Sequence, residues 1–355
     1  MNDKILDATI RSRHKMDESQ VRQFITHLMS KYRVMAPQKK GEKSFAYLPV
    51  DNSADVVLDY PRTIQPLKKF FLPPTETLLE YRRSQQTFKE IEEQQEARIF
   101  FGIHSYDMQG LKRLDYSFST GNAESNYLRR REQCFFIGIS YTADEYHFGP
   151  AVGIDTDEID GFNLYLKKYE NFYELWVIDE QGEELLADFP EELQPSDTIY
   201  HNGNGLSSKI KVHYNRLPQI FERVYHSDVW QKVADRCVGC GTCNLLCSTC
   251  YCFDVRDEVE LDADHGKRQR FWDGCMLNRF AEVAGGEDFR DKLHLRTRHR
   301  LFRKFKYITD KSSDIHCVGC GRCSKYCPAD INIVEIINDL VDDYNKSQSH
   351  KTYMA

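Results

Sequence analysis

The chain has 355 residues, of which 41% are hydrophobic and 29% are charged, and its formal net charge is −7. This length allows two or three ordinary domains, and this composition excludes a chain that is disordered throughout. No apolar run approaches the roughly 18–20 residues that a membrane-spanning helix needs, so we expect no membrane anchor.

Charge and cysteine content bear on the partners, the compartment and the metal binding of the protein. Residues 226–355 hold 20 Lys and Arg against 20 Asp and Glu, so the net negative charge lies in residues 1–225. The chain as a whole is not basic, and we expect no nucleic-acid partner. The first residues lack the apolar core of a secretion signal, which predicts a cytoplasmic protein. Eleven of the twelve cysteines follow residue 236. In a reducing cytoplasm they indicate metal binding rather than disulfides.

The N-terminal half has the patterns of an α+β domain. Residues 1–16 are predicted to be a loose extension. From Asp17 onward, apolar residues at Val21, Phe24, Ile25 and Leu28 follow helical spacing and predict an amphipathic helix whose apolar face packs on the core.

Strand patterns follow the helix. The short apolar runs at 98–103 and 134–141 predict strands, and the alternating runs at 161–167 and 172–179 predict a hairpin. Residues 190–208 are rich in Pro, Asn, Gly and Ser and predict a surface loop.

The C-terminal third has a different pattern. Ser227 and Asp228 are placed to cap a short helix that leads into Cys237, and Pro328 suits the first position of a final helix. We therefore predict an α+β domain over 17–225, followed over 226–355 by a mainly helical dicluster ferredoxin-like domain.

Two copies of one cysteine pattern, C-x2-C-x2-C-x3-C, dominate this third. The copies comprise Cys237, Cys240, Cys243 and Cys247, and Cys317, Cys320, Cys323 and Cys327. This spacing is typical of bacterial ferredoxins with two 4Fe–4S clusters, in which three cysteines of a run hold one cluster and the fourth reaches the other. We therefore predict two 4Fe–4S clusters. The expected ligand sets are Cys237, Cys240, Cys243 and Cys327 for cluster 1, and Cys317, Cys320, Cys323 and Cys247 for cluster 2.

Other interpretations of the two runs fit less well. A disulfide framework gives no reason for the spacing to recur, and zinc would satisfy two C-x2-C pairs but leave the other cysteines without a role. The runs are separated by 69 residues. By analogy, this longer insert suits the helical ferredoxin domain of respiratory dehydrogenase iron–sulfur subunits.

Three further cysteines, Cys250, Cys252 and Cys275, have two open interpretations. They are small residues packed around the clusters, or they bind an additional metal centre. Cys134 lies in an apolar strand and is predicted to be a core residue. The histidines show no ligand spacing, and His104, His299 and His316 are interpreted as polar packing or surface groups.

The segment 266–306 holds twelve Lys and Arg against five Asp and Glu. Its cations would stabilise the reduced form of nearby anionic clusters, form a docking face for an acidic partner, or simply face solvent. These alternatives stay open. The sequence contains no G-x-G-x-x-G, P-loop or H-E-x-x-H motif, so we expect no flavin or nucleotide on this chain.

Residues 237–345 resemble a dicluster iron–sulfur subunit that occurs both in anaerobic sulfite reductase and, as the beta subunit, in the cytoplasmic nickel–iron sulfhydrogenases. Four phrases carry the resemblance, at 247–255, 271–275, 283–290 and 296–306. The resemblance implies an electron relay with no catalytic residue of its own. A flavin- and NAD(P)H-binding partner loads it, and a catalytic subunit with sirohaem or nickel–iron empties it.

The N-terminal part is similar to this family through weaker phrases at 74–78, 102–107 and 127–132. The family commonly has a cysteine in the phrase His104–Asp107 and more cysteines where this chain reads Tyr141–Phe148. Cys250, Cys252 and Cys275 coincide with family motif cysteines. Two other functions stay open: a scaffold or assembly subunit with structural clusters, and an iron–sulfur redox sensor, which would need a nucleic-acid-binding element.

Overall fold

The computed structural model describes residues 10–91, 96–198 and 209–354, with side chains as far as Ser349. Its strands are β1 (Ser12–Met16), β2 (Arg33–Gly41), β3 (Ser44–Pro49), β4 (Thr75–Arg82), β5 (Thr87–Glu90), β6 (Arg98–Ile103), β7 (Cys134–Ile139), β8 (Leu164–Lys168), β9 (Tyr173–Val177), β10 (Gln194–Pro195), β11 (Phe253–Val259) and β12 (His265–Trp272). Its α-helices are α1 (Glu18–Met29), α2 (Ser105–Ser119), α3 (Ser125–Arg131), α4 (Glu180–Ala187), α5 (Leu217–Arg223), α6 (Val229–Arg236), α7 (Thr242–Leu245), α8 (Leu293–Phe302), α9 (Thr309–Ser312), α10 (Arg322–Lys325) and α11 (Ile333–Met354).

The N-terminal region is built on an eight-stranded sheet with the order β10-β1-β9-β8-β7-β6-β2-β3. The four neighbours β8, β7, β6 and β2 are parallel, and the flanking strands are antiparallel. Parallel neighbours need crossover connections, and α2 and α3 supply the one between β6 and β7. The predicted strands β6 and β7 and the predicted hairpin β8–β9 are confirmed. The region is α/β and not α+β as predicted, because its central strands are parallel.

The helix predicted from Asp17 is α1. The Asp17 carboxylate accepts a hydrogen bond from the Gln20 amide at 2.8 Å, and the Gln20 side chain accepts one from the Asp17 amide at 3.0 Å. This reciprocal cap starts the helix and turns its apolar face, including Phe24, toward the core. The expectation of a loose extension is corrected for Ser12–Met16, which form β1 and pair with β9. Residues 1–9, like 199–208 of the predicted loop, lie outside the described residues.

A second sheet joins the N-terminal region to the insert between the cysteine runs. Its order is β11-β12-β4-β5, and all its neighbours are antiparallel. Strand β12 pairs with β4, so that Phe271 lies opposite Thr75 and His265 opposite Arg82. The C-terminal part is therefore not mainly helical, because the insert between the cysteine runs folds partly as the β11–β12 hairpin. The domain boundary near residue 225 stays a prediction. The second sheet contains two strands that precede this boundary and two that follow it.

Helices α6 and α11 flank the cysteine runs. Helix α6 ends immediately before Cys237, and the Ser227 hydroxyl accepts the Val229 amide at its start at 3.2 Å. Helix α11 begins at Ile333 and not directly behind Pro328 as expected, because the Asn332 side chain caps it by accepting the Val334 amide at 3.0 Å. Within the described ranges no helix is long and apolar enough to cross a bilayer.

Candidate metal centre

The two cysteine runs form the same local structure. Gly239 and Gly241 have φ angles of +68° and +74°, and Gly319 and Gly321 have φ angles of +64° and +72°. These left-handed positions favour glycine, and a one-turn helix follows each pair, α7 after Gly241 and α10 after Gly321. The repeated sequence pattern thus forms a repeated loop that presents thiols at regular intervals.

Four cysteines of the first expected ligand set line one cavity. The cavity has a volume of about 580 Å³, including its open mouth, and its wall contains Cys237, Cys240, Cys243 and Cys327, with Cys323 beside them. Cysteines of both runs therefore meet at this cavity, which agrees with the ferredoxin pattern, and the assignment of Cys327 to cluster 1 stays a prediction. The mouth is at the surface, since Cys240 is exposed and Val238 is 66% exposed.

The second expected ligand set is gathered in the interior. Cys317 and Cys320 are each 8% exposed. Burial, with the nearby charges of Cys323 and Cys247, raises the pKa of Cys317 to about 12. Burial likewise raises the pKa of Cys320, again with Cys247 and Cys323 acting on it. Four thiols that interact in this way in a low-dielectric site need cations or metal before they ionise.

Three buried cations lie among these thiols. Lys68, Arg300 and Lys304 are 3%, 5% and 7% exposed, and none has a carboxylate oxygen within 4.0 Å in the part of the chain that the structure describes. Burial opposes ionisation of Cys247, but Lys304 and Arg300 outweigh it and lower the pKa of this thiol to about 7. Because unpaired buried charges are costly, these cations fit a site that carries negative charge, as thiolate-ligated clusters do.

The cations come from separate elements. Arg300 lies on α8 and donates to the Cys243 carbonyl at 3.3 Å, and Lys304 follows in a π-helical turn and donates to the Thr249 hydroxyl at 2.7 Å. Both belong to the basic segment, whose role as counter-charge is supported at these two positions. Lys68 comes from the N-terminal region and donates to the Cys250 carbonyl at 3.1 Å. The sequence pattern gave no signal for Lys68.

Arg322 fixes the second run against the N-terminal region. Its guanidinium is fully buried and donates to both oxygens of the Asp107 carboxylate, at 2.6 and 2.7 Å. It also donates to the Thr63 carbonyl at 2.9 Å and to the Ser248 hydroxyl at 3.1 Å. The one sequence signal for this contact was the position of a charged residue directly after Gly321, where the first run has Thr242.

The two phrases in which the family commonly has cysteines pack together beside Cys320. His104 stacks on Tyr141 with ring centroids 4.3 Å apart, and the Tyr141 hydroxyl lies 3.2 Å from His147 Nε2. Tyr106 completes this aromatic layer, which is in contact with Cys320. The expectation that His104 packs is thus confirmed.

His316 is also buried, and His299 is half-buried. Cys134 is separate from the other cysteines, half-buried on β7, where its thiol donates to the Arg130 carbonyl at 3.2 Å.

Cys250 and Cys275 both lie near the Asn244 side chain, and Cys252 lies next to Cys250. Cys250 and Cys275 are 7% and 6% exposed, and the Asn244 amide nitrogen lies 3.6 Å and 3.5 Å from their sulfurs. A hydrogen bond with Cys252 holds the pKa of Cys250 well below its ordinary value, and the charges of Lys68 and Lys304 act in the same direction. Asn244 was not singled out from the sequence.

Comparison with known proteins agrees with this geometry. Residues 236–331 match the family described as a 4Fe-4S dicluster domain. The chain is 31% identical over 325 residues to sulfhydrogenase 2 subunit beta of Pyrococcus furiosus, and the alignment covers 90% of this chain and 95% of that protein. No solved structure matches it. The chain therefore carries an iron–sulfur dicluster domain, and it belongs to the family of iron–sulfur subunits that includes the sulfhydrogenase beta subunit.

Proposed function

We propose that this chain is the electron-transfer subunit of a cytoplasmic multisubunit oxidoreductase. It relays electrons between an NAD(P)H-linked flavoprotein subunit and a catalytic subunit that carries sirohaem or nickel–iron. The family supports an iron–sulfur subunit of a complex, since the curated relative is named as the beta subunit of a sulfhydrogenase. The flavin, the nicotinamide and the reacting substrate then belong to the partner chains.

One observation carries the proposal: the cavity wall combines three cysteines of the first run with Cys327 of the second. Cys237, Cys240, Cys243 and Cys327 would hold cluster 1, and Cys317, Cys320, Cys323 and Cys247 would hold cluster 2. When bound, 4Fe–4S clusters supply one-electron chemistry. No acid, base or nucleophile is required of this chain.

The protein's own residues prepare and insulate the two sites. Arg300 interacts with thiols of both runs, Cys243 and Cys323, and Lys304 interacts with Cys247. Such fixed cations favour the thiolate form before assembly and favour the more negative, reduced state afterwards. The exposed loop at Cys240 gives a partner close access to cluster 1, while the aromatic layer beside Cys320 excludes water from cluster 2.

The substitution Cys320→Ala tests the proposal. We expect it to remove cluster 2, so that the iron content of anaerobically prepared protein falls by about four per chain. Electron flow from the flavoprotein partner to a dye should stop, because the relay is interrupted. The matched control is Cys134→Ala, which changes a half-buried cysteine outside the runs and should leave both readouts unchanged.

Two outcomes would contradict the proposal. Unchanged iron and unchanged dye reduction in Cys320→Ala would refute the cluster assignment. A wild-type chain that holds about eight irons but is not reduced by its partners would instead be a scaffold subunit with structural clusters.

A further inference from the structure

Three cysteines outside the two runs are brought to one place by the β11–β12 hairpin. Cys250 and Cys252 precede β11, and Cys275 follows β12. The hairpin pairs Phe253 with Trp272, and the Asp273 amide donates to the Cys252 carbonyl at 3.3 Å. Residues that are 23 or more positions apart thus meet behind the first run. A dicluster domain needs only the eight run cysteines, so this trio has no assigned role.

Asn244 is positioned for thiolates. It is 3% exposed, and its side-chain oxygen accepts the Met276 amide at 3.0 Å, which turns the amide nitrogen toward Cys250 and Cys275. Gly274 makes room for it, because a Cβ at Gly274 would lie 2.9 Å from the Asn244 side chain. N–H donors aimed at sulfur stabilise negative charge there and tune iron–sulfur centres.

Two buried cations also lie close to the trio. Lys68 and Lys304 both interact with Cys250, and each is buried without a carboxylate partner among the described residues. The Lys68 Nζ atom lies 4.1 Å from the centroid of the Trp272 ring of β12, and it donates to the Cys250 carbonyl oxygen at 3.1 Å. Trp272 in turn donates to the Leu72 carbonyl at 2.8 Å, which fixes the hairpin beside Lys68. Neutral thiols would leave these cations uncompensated.

The spacing of the sulfurs bears on the type of centre. In a tetrahedral zinc site the sulfurs lie about 3.8 Å apart, since each Zn–S bond is about 2.3 Å. Possible metal-ligand atoms are histidine nitrogens, cysteine sulfurs and carboxylate oxygens. Across residues 10–91, 96–198 and 209–354, one group of three residues has such atoms all within 4.8 Å of one another, and it consists of Glu260, Asp262 and His265. The three sulfurs of the trio therefore do not all lie within 4.8 Å of one another, which is wider than a single zinc ion requires, while Cys250 and Cys252 are close enough to hydrogen-bond.

We propose that Cys250, Cys252 and Cys275 hold a third iron–sulfur centre, ligated by their three thiolates. The Asn244 side chain donates to the sulfurs of Cys250 and Cys275. Cys275 interacts with Cys243 of the first ligand set, and Cys250 interacts with Cys247 of the second. The centre therefore lies next to both clusters. Its role as a further step in the relay rests on the proposed function, but its existence does not.

The test compares iron and zinc per chain in anaerobically prepared full-length protein. The wild type should contain three or four irons more than the roughly eight of two clusters. The variant Cys250→Ser/Cys275→Ser should lose that excess and keep about eight, and the control Cys134→Ser should match the wild type. The wild-type count is informative even if the double variant does not fold.

Other results overturn the inference. A wild type with only about eight irons, or a double variant with the wild-type iron content, would contradict a third centre. Loss of one zinc instead of iron would contradict its iron–sulfur identity. A failure of the proposed function is separate, because it would show as missing dye reduction in protein whose iron content is complete. As a second variant, Asn244→Ala keeps all thiols. It should shift the potential of the third centre and leave the other two signals in place.

Discussion

The two cysteine runs have the same loop but different surroundings. In the first run Val238 is 66% exposed and Cys240 is at the surface, whereas in the second Val318 is 3% exposed and Cys320 is 8% exposed. The first run faces solvent and is backed by α8. The second is covered by the N-terminal region, which places Gly149 and Tyr146 directly against Gly319 and Gly321. The repeat therefore sets the shape of each loop, and the neighbouring region sets how much water reaches it.

This difference has a chemical consequence. Solvent exposure and local charge are two of the main influences on the potential of an iron–sulfur cluster. Two sites with the same ligands can therefore differ in potential and accessibility. An exposed site suits exchange with a partner, and a buried site suits onward transfer. Equivalent substitutions in the two runs should have unequal effects, and three pairs test this in order of decreasing size.

Arg322→Ala should have the largest effect. It removes a guanidinium buried against Asp107 and leaves that carboxylate without its partner, which destabilises a protein by about 3–5 kcal/mol. The matched change in the first run, Thr242→Ala, should alter the free energy of unfolding by less than about 1 kcal/mol. Anaerobic urea unfolding of the holoprotein measures both. Equal effects would mean that the second run is not held by the N-terminal region.

Gly319→Ala should rank second. The added Cβ would lie 2.3 Å from the Gly149 amide nitrogen, and the alanine would be held in a left-handed backbone conformation. Together these should lower the free energy of unfolding by roughly 3 kcal/mol. In Gly239→Ala the nearest atom is Leu293 Cδ2 at 3.2 Å, a side chain that can move, so about 1 kcal/mol of backbone strain remains. The midpoint of iron loss on anaerobic heating compares the two variants. A smaller shift for Gly319→Ala would contradict the close packing of Gly319 on Gly149.

Val318→Ala should have the smallest of the three effects. It removes two buried methyl groups, which predicts a loss of about 1.5–2.5 kcal/mol, whereas Val238→Ala removes exposed groups and should change stability by less than about 0.5 kcal/mol. Chemical denaturation followed by the cluster absorbance distinguishes these values. If the exposed Val238 contacts a partner, Val238→Ala should instead slow partner-driven reduction; an unchanged rate would place the docking contact elsewhere.

Local features were predictable from the sequence. Helix α1, strands β6 and β7 and the β8–β9 hairpin follow from apolar periodicity, and the gathering of cysteines from both runs agrees with their spacing. The start of α11 was misplaced because Pro328 suits a first helical position, yet Asn332 is the residue that caps the helix.

Long-range pairings were not predictable. The bond between Arg322 and Asp107 joins residues 215 positions apart, and β12 pairs with β4 across a similar distance. Nothing in the local sequence specifies such a partner. The β11–β12 hairpin was missed because β11 is largely exposed and both strands are rich in charged residues, without the apolar alternation that marks a half-buried strand. Within it, the Arg270 side chain is buried against Glu76.

The shared second sheet limits how this architecture can be inherited. Strand β12 uses one edge for β11 and the other for β4, so a fragment starting near residue 226 would expose a row of unsatisfied amides and the apolar side of Trp272. Such a fragment would tend to aggregate instead of folding as a small free ferredoxin. Gene fusions that shuffle portable cluster modules would thus have to carry both halves of this polypeptide together.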